Sequence, residues 1–360
     1  RSDCKILRLS EYKFTRDFNL SVYGKGKIPS EGDTISSKGE IKKLTGKRNP
    51  GDFDFRSHFS RQGNYGRLFI DKKYESQFHF GKLPFLKKWI RLSQNFVRNT
   101  LNKSTDSKTS GLLTALLLGD KSTIDENMKE DFANTGVIHV LAVSGLHVGY
   151  ILIILTIFAS VIRIPWGWNR LVIIIGLIAF CALTGGKPSV IRASTMAGLY
   201  VITPVLNRPG NIWNIIGFSA CLLLAFDPLY IMGLGFILSY SAVVSIIYFY
   251  GLFEKLLPKK LKPSTIENWF LKNVWSLFLV SLSAQIGTLP ITAAYFHKVP
   301  IISLVANVMI VPIVGIIVVL GFMILGLSFS PILSELVGNA AWLFQTIISW
   351  LSHYFLSFSF

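Results

Sequence analysis

The chain has 360 residues, with 37 Lys and Arg against 20 Asp and Glu, a net charge of +17 and a mean hydropathy of +0.47. Residues 1–110 hold 24 cationic against 11 anionic side chains, whereas the remaining 250 hold 13 against 9, so the length allows two unlike domains. The second part, built of apolar runs with short polar breaks, excludes a water-soluble core protein, and Cys4, Cys181 and Cys221 lack the spacing of a disulfide framework or a thiolate metal site.

The chain opens at Arg1 with no apolar leader, and an upstream portion is expected. Residues 1–80 alternate apolar and polar residues in short runs, at 14–22 and 66–80 for instance, broken by Gly, Pro, Asn and Asp, which predicts a small β domain. Its basic balance suggests a polyanionic partner, nucleic acid or anionic lipid. Phe59 and Tyr65 stand among Arg56, Arg61, Arg67, Lys72 and Lys73. Single-stranded nucleic acid is held by this mixture, because bases stack on rings while cations follow phosphates; the competing reading makes the rings core and the cations a solvated face.

From residue 83 to 103 the apolar positions Leu86, Trp89/Ile90, Phe96/Val97 and Leu101 recur at near-helical spacing between Lys87, Lys88, Arg91 and Arg98. A basic amphipathic helix in the headgroup plane is expected, followed by a polar joint at 102–110. Leu112–Leu118 is apolar but too short to span. Thr123-Ile124-Asp125-Glu126 fits a capping box, with Ile124, Met128 and Phe132 on one face, acidic residues on the other, and Gly136 as the stop. Seven spans are expected near 137–162, 170–185, 190–206, 212–226, 231–250, 273–296 and 301–327, and an amphipathic stretch at 342–358. If these alternate, Arg163, Arg170, Arg208, Lys255, Lys259, Lys260, Lys262 and Lys272 share one side and Lys187, Arg192 and Lys298 the other, which puts the β domain outside the cell membrane.

Polar residues interrupt the apolar runs: Asp120, His139, Ser144, His147, Arg192, Ser239, Gln285 and Asn307. On one continuous helix His139 and His147 would lie about 12 Å apart, too far to share a metal ion. Ser144 and His147, three apart, share a face, so close helix packing with interhelical hydrogen bonds, a pore or gate lining, and a nucleophile with its base all remain open. An arginine facing lipid costs several kcal/mol, on the order of 3, so Arg192 is expected to point inward or snorkel. Prolines 290 and 312 and the polar breaks suit a transport bundle, since irregular backbone is tolerated where it lines a cavity or packs on protein.

As a set these residues resemble the ComEC family of competence membrane proteins: LLLGDKSTIDENMKEDFANTGVIHVLAVSGLHVG, then GGKPSVIRASTMAG, DPLYIMGLGFILSYSAV, and SAQIGTLPITAAYF with VPIISLVANVMIVPIVG. NPGDFDFRSHFSRQG similarly resembles the family's extracytoplasmic OB-like domain. The resemblance implies a polytopic inner-membrane channel that passes one strand of incoming DNA into the cytoplasm during natural transformation. It also implies a DNA receptor and a motor ATPase as partners, beside membrane lipids. Many members carry further membrane helices in front and a metallo-β-lactamase-like domain behind; this chain ends at Phe360 without a clustered His/Asp motif, so nuclease activity is not expected in it.

The expected architecture is therefore an all-α polytopic membrane bundle (111–360), preceded by an OB-like extracytoplasmic β domain (1–80) and a basic amphipathic linker (81–110). No cofactor, metal site or nucleotide-binding loop is read, and no enzymatic activity. The rival functions are transport of another anionic solute, an intramembrane serine hydrolase using Ser144 and His147, and a membrane scaffold.

Overall fold

The computed structural model describes residues 2–6, 18–23, 34–36, 39–44, 46, 56, 64–70, 77–79 and 84–357, apart from 206, 208, 209, 259–262, 264–266 and 297–301. Two compact units emerge, Arg1–Trp89 and Ile90–Phe360.

In the first unit the alternating runs become strands: β1 (Ser2–Ile6), β2 (Phe18–Tyr23), β3 (Thr34–Ser36), β4 (Gly39–Lys43), β5 (Asn64–Ile70) and β6 (Gln77–His79). Four of them form a sheet in the order β1-β2-β5-β4, with β2 and β5 parallel and the other two pairings antiparallel; β3 and β6 make a separate antiparallel pair. Parallel neighbours need a long crossover, which residues 24–63 supply. In the β4/β5 register Lys42 stands opposite Arg67, and its ammonium lies 5.6 Å from the centroid of the exposed Phe69 ring.

The boundary between the units falls within α1 (Phe85–Ser104). Phe85, Trp89, Leu92 and Phe96 recur at helical spacing and are exposed, whereas Val97, Leu101 and Ser104 are buried, so the helix carries two apolar stripes with cations between them. After it Asp106 takes the N-cap of α2 (Ser107–Leu118), accepting from the Lys108 and Thr109 N–H groups at 3.0 and 3.4 Å. The run set aside as too short to span is the innermost helix of the bundle: every residue from Thr109 to Leu118 is buried.

A 3₁₀ turn (Lys121–Thr123) leads to α3 (Glu126–Asn134), which differs from the expected capping box. Its cap is Asp125, accepting from Asn127 N–H at 3.1 Å, while the Thr123 hydroxyl donates to the Gly111 carbonyl at 3.3 Å. Asp wins because its carboxylate reaches the free N–H groups while Ile124 turns inward with Met128 and Phe132. Gly136, at φ 75°, ends the helix as expected.

The first apolar run does not form one helix from residue 137. A 3₁₀ turn (Ile138–Leu141) and an extended Ala142–Ser144 come first, and α4 begins at Gly145 (Gly145–Val161). There follow α5 (Trp166–Leu183), α6 (Pro188–Ile202), α7 (Ile212–Phe226), a 3₁₀ turn (Pro228–Met232), α8 (Leu234–Leu256), α9 (Trp269–Phe296), α10 (Ser303–Gly326) and α11 (Pro331–Leu356). Of these, α8, α9 and α10 are long and apolar enough to cross a membrane; α4 to α7 are shorter, at 17, 18, 15 and 15 residues. Of the stretch expected at 342–358, residues 342–356 are the second half of the 26-residue α11, and 358 lies outside the described residues.

Two buried clusters result. The larger joins α1, α2, α3, α10 and α11 around Leu112, Leu113, Leu116, Leu117, Phe132 and Ile317; the smaller joins α4, α5 and α6 around Val148, Ile151, Leu177, Phe180 and Val190.

Candidate functional site

The polar residues singled out in the sequence gather into three places in the second unit. The first is the end of α2. Gly119 takes a left-handed φ of 73°, and a Cβ there would run into the Lys187 side chain and meet Val143 at 3.0 Å. Asp120 then caps the 3₁₀ turn: one carboxylate oxygen accepts from the Ser122 N–H and hydroxyl at 3.0 and 2.6 Å, and the other pairs with the Arg98 guanidinium at 2.8 Å. The Lys187 ammonium donates to the Gly119 carbonyl, and the Ser189 hydroxyl donates to the Val143 carbonyl at 2.7 Å. From α1, the Gln94 amide donates to the Leu183 carbonyl at the end of α5 at 2.7 Å.

These bonds knot together α1, α2, the extended 142–144 segment, and the α5–α6 turn. Burial pushes the Asp120 carboxyl up, but the Ser122 hydrogen bonds and Arg98 outweigh it, so the group titrates below the ordinary carboxylate value. Burial, then Lys121, push the Lys187 ammonium down, with Asp120 opposing them. Arg98, Lys187 and Ser189 were not singled out beforehand. Their partners are backbone carbonyls or a residue far away in sequence, which spacing does not reveal.

The second place is the start of α4. Because residues 137–144 are not part of the α-helix, the comparison of His139 with His147 along one axis does not apply: His139 is exposed on the 3₁₀ turn, while His147 is buried. Ser144 is the N-cap of α4; its N–H donates to His147 Nδ1 at 3.3 Å, and its hydroxyl lies 3.3 Å from the same nitrogen. The histidine thus closes its own helix end instead of bridging helices, and its buried Nε2 has no hydrogen-bond partner. One turn on, the Tyr150 hydroxyl donates to the Val311 carbonyl of α10 at 3.1 Å, its ring lying where a side chain at Gly315 would stand. Gly145 approaches Ala193 of α6, its Cβ position being 3.5 Å away, whereas Gly149 faces open space. At that distance a side chain on Gly145 would make ordinary contact, so neither glycine stands where a Cβ would be excluded.

The third place lies among α6 to α10. Arg192 on α6 is 7% exposed, so it points inward, and its Nε has no hydrogen-bond partner. Tyr230 and Tyr240 are close enough to act on it electrostatically, and the buried Tyr240 hydroxyl is 3.0 Å from that of Ser219 on α7. Ser239 and Gln285 are half-buried on α8 and α9. Asn307 on α10 donates to the Ser281 hydroxyl of α9 at 3.2 Å, and its buried Oδ1 has no partner. Ser241 ties α8 to α9 by donating to the Gly287 carbonyl at 2.7 Å. Asp120, His147 and Arg192 therefore belong to three separate clusters, not one.

Among the described residues no three His, Cys, Asp or Glu side chains group to hold a metal ion. In the first unit, Arg56 is exposed, and Tyr65 and Arg67 occupy β5; Phe59, Arg61, Lys72 and Lys73 lie outside the described residues.

The family described as "Competence protein" matches residues 116–360. ComE operon protein 3 of Bacillus subtilis (strain 168) is 30% identical over 312 residues, covering 84% of this chain and 37% of that protein. The uncharacterized protein YcaI of Escherichia coli (strain K12) is 26% identical over 236 residues, 63% of this chain and 30% of its own length. An uncharacterized protein of Aquifex aeolicus (strain VF5) is 29% identical over 209 residues, 58% of this chain and 46% of its own length. The chain therefore spans less than half the length of these relatives. No solved structure matches.

Proposed function

The chain belongs to the competence protein (ComEC) family of membrane proteins, and from that premise we propose that it forms the inner-membrane channel through which single-stranded DNA reaches the cytoplasm during natural transformation. The observation that carries this reading is a set of buried polar atoms without partners among the described residues, on otherwise apolar helices: His147 Nε2, Arg192 Nε, Ser194 Oγ and Asn307 Oδ1. Each such group costs free energy in a dry bundle, and water along a path, or a polar cargo, offsets that cost.

In this reading the first unit is an OB-type extracytoplasmic domain that captures the strand by phosphate neutralisation and base stacking, for which the Lys42 and Phe69 pair is a described example. Helix α1 lies in the headgroup plane with Phe85, Trp89, Leu92 and Phe96 in lipid. A DNA receptor delivers the strand and a motor ATPase or far-side capture supplies direction. Transformation frequency and uptake of labelled DNA in a deletion strain test it: complementation with the full-length gene restores both, and normal uptake without the gene would overturn the reading.

Two observations favour other readings. The 3.3 Å separation of Ser144 Oγ and His147 Nδ1 suits an intramembrane serine hydrolase. That reading requires a fluorophosphonate probe to label the intact protein and not Ser144→Ala; under the channel reading neither is labelled. The buried Arg192 guanidinium, in no ion pair among the described residues, would equally serve a transporter of another anionic solute, which would leave DNA uptake untouched.

A further inference from the structure

A buried cation with no counter-charge faces a helix start in the α6–α8 region. Arg192 is 7% exposed and, among the described residues, enters no ion pair. Its titratable neighbours are two tyrosines, which are neutral phenols, not carboxylates. A guanidinium removed from water without an anion is among the costliest arrangements in a protein interior.

Its Nη2 lies 3.9 Å from the point where a Cβ of Gly235 would stand, and no other atom comes within 4 Å of that point. Gly235 is in the first turn of α8, a 23-residue helix whose N-cap, Gly233, offers no side chain to the end. The Gly233 carbonyl takes the N–H groups of Phe236 and Ile237 at 2.9 and 3.1 Å, which leaves those of Leu234 and Gly235 without a partner among the described residues. Two N–H groups without partners among the described residues at the positive end of a long helix, a glycine that keeps the approach clear, and a guanidinium outside any described ion pair whose Nη2 lies beside that glycine are the components of an anion site. Tyr240, whose hydroxyl pairs with that of Ser219, is a neighbour of the guanidinium, and among the described residues no carboxylate pairs with that guanidinium to compete for the cation.

We propose that Arg192 and the first turn of α8 hold a single phosphate group, and, on the reading of the chain as a DNA channel, that this group is a phosphodiester of the passing strand. A planar guanidinium matches phosphate oxygens in pairs, whereas the backbone N–H groups carry no base preference, so the site grips any sequence and releases it one phosphate at a time.

The test is the melting temperature of the full-length protein in dodecylmaltoside. The additions are inorganic phosphate, a decathymidylate, its uncharged methylphosphonate analogue, or phosphatidylglycerol, and the proteins are wild type, Arg192→Gln and Arg192→Lys. Decathymidylate and, at higher concentration, phosphate raise the wild-type melting temperature, and the methylphosphonate does not. Arg192→Gln melts no lower than wild type without ligand, because it sheds an unpaired charge, yet binds decathymidylate at least tenfold more weakly; Arg192→Lys falls between.

If Arg192→Gln instead melts well below wild type and binds the oligonucleotide equally, the arginine is structural and the site is overturned. If phosphate stabilises wild type alone and decathymidylate stabilises neither, the anion site stands while the strand-channel reading falls. A shift with phosphatidylglycerol alone overturns the assignment of the ligand to a nucleic-acid strand.

Discussion

The two halves of the helical unit solve opposite problems. Around α2, α10 and α11 the interior is closed and apolar: Leu113, Leu116 and Phe132 have no exposed surface, and buried residues make up 39% of the most apolar stretch of α10. In α8 and α9 the corresponding shares are 6% and 11%, and two side chains with a polar atom that lacks a partner among the described residues border them, Arg192 beside Gly235 of α8 and Asn307 bonded to Ser281 of α9. In lipid, burying a leucine gains packing contacts and little else, so the first half is held by shape and the second is free to carry groups that weaken it. On the channel reading proposed above, the first half keeps the protein folded and the second lines the path of the polar cargo.

Substitutions in the closed half give the largest effects on stability. Leu116→Ala costs about 3 kcal/mol through the cavity it leaves, read as a lower unfolding midpoint in detergent and reduced abundance. Gly338→Ala comes next, at about 2 kcal/mol, because its Cβ would overlap the Ser104 carbonyl, which is backbone and cannot rotate away. A variant of either kind that folds normally yet blocks DNA uptake would break the comparison.

At the knot between the halves, Asp120→Asn costs about 1 kcal/mol, since it loses the Arg98 pair and weakens the cap on a partly exposed site. Because the folded protein holds the Asp120 carboxyl below its ordinary value, this contribution is complete above about pH 4, the unfolded value, and disappears as pH falls through the lower folded one. Acidification from about pH 5 to about pH 3 therefore destabilises wild type more than Asp120→Asn, which thermal melts across that range check.

In the open half the effects on stability shrink. Asn307→Leu removes a buried oxygen that has no partner and gives up only the bond to Ser281, so stability stays within about 0.5 kcal/mol while uptake of labelled DNA drops. Ser144→Ala is the mildest of the set, because the Ser144 N–H still donates to His147 after the hydroxyl has gone. Equal loss of stability from Leu116→Ala and Asn307→Leu would show that the two halves are one core.

The sequence made the elements legible where a local signal and the tertiary outcome agree. The amphipathic spacing from Leu86 to Leu101 became α1, and Gly136 ended α3. It failed where the decision is tertiary. Leu112–Leu118 reads as too short to span, and nothing local tells that every side of it meets protein. The first apolar run looked continuous because Val137 to Leu141 are as apolar as a span, yet Ser144 takes an extended backbone at φ −125° and starts the helix afresh. For the site, residue types were readable and partners were not: His147 and Arg192 stand out, whereas the bond from Lys187 to a carbonyl 68 residues away does not. Asp120 was noticed for its charge, but Arg98 gives that charge a task.

The tyrosine lying over Gly315 also limits how the protein can move. With its hydroxyl on the Val311 carbonyl, Tyr150 fixes the axial register of α4 against α10. A slip of one helical turn, about 5.4 Å, would bring the ring onto Val311 or Val319, whose branched side chains fill the space the glycine leaves. Piston travel between these two helices is thus opposed, and on the channel reading proposed above a passage would widen by tilting whole helices about this contact.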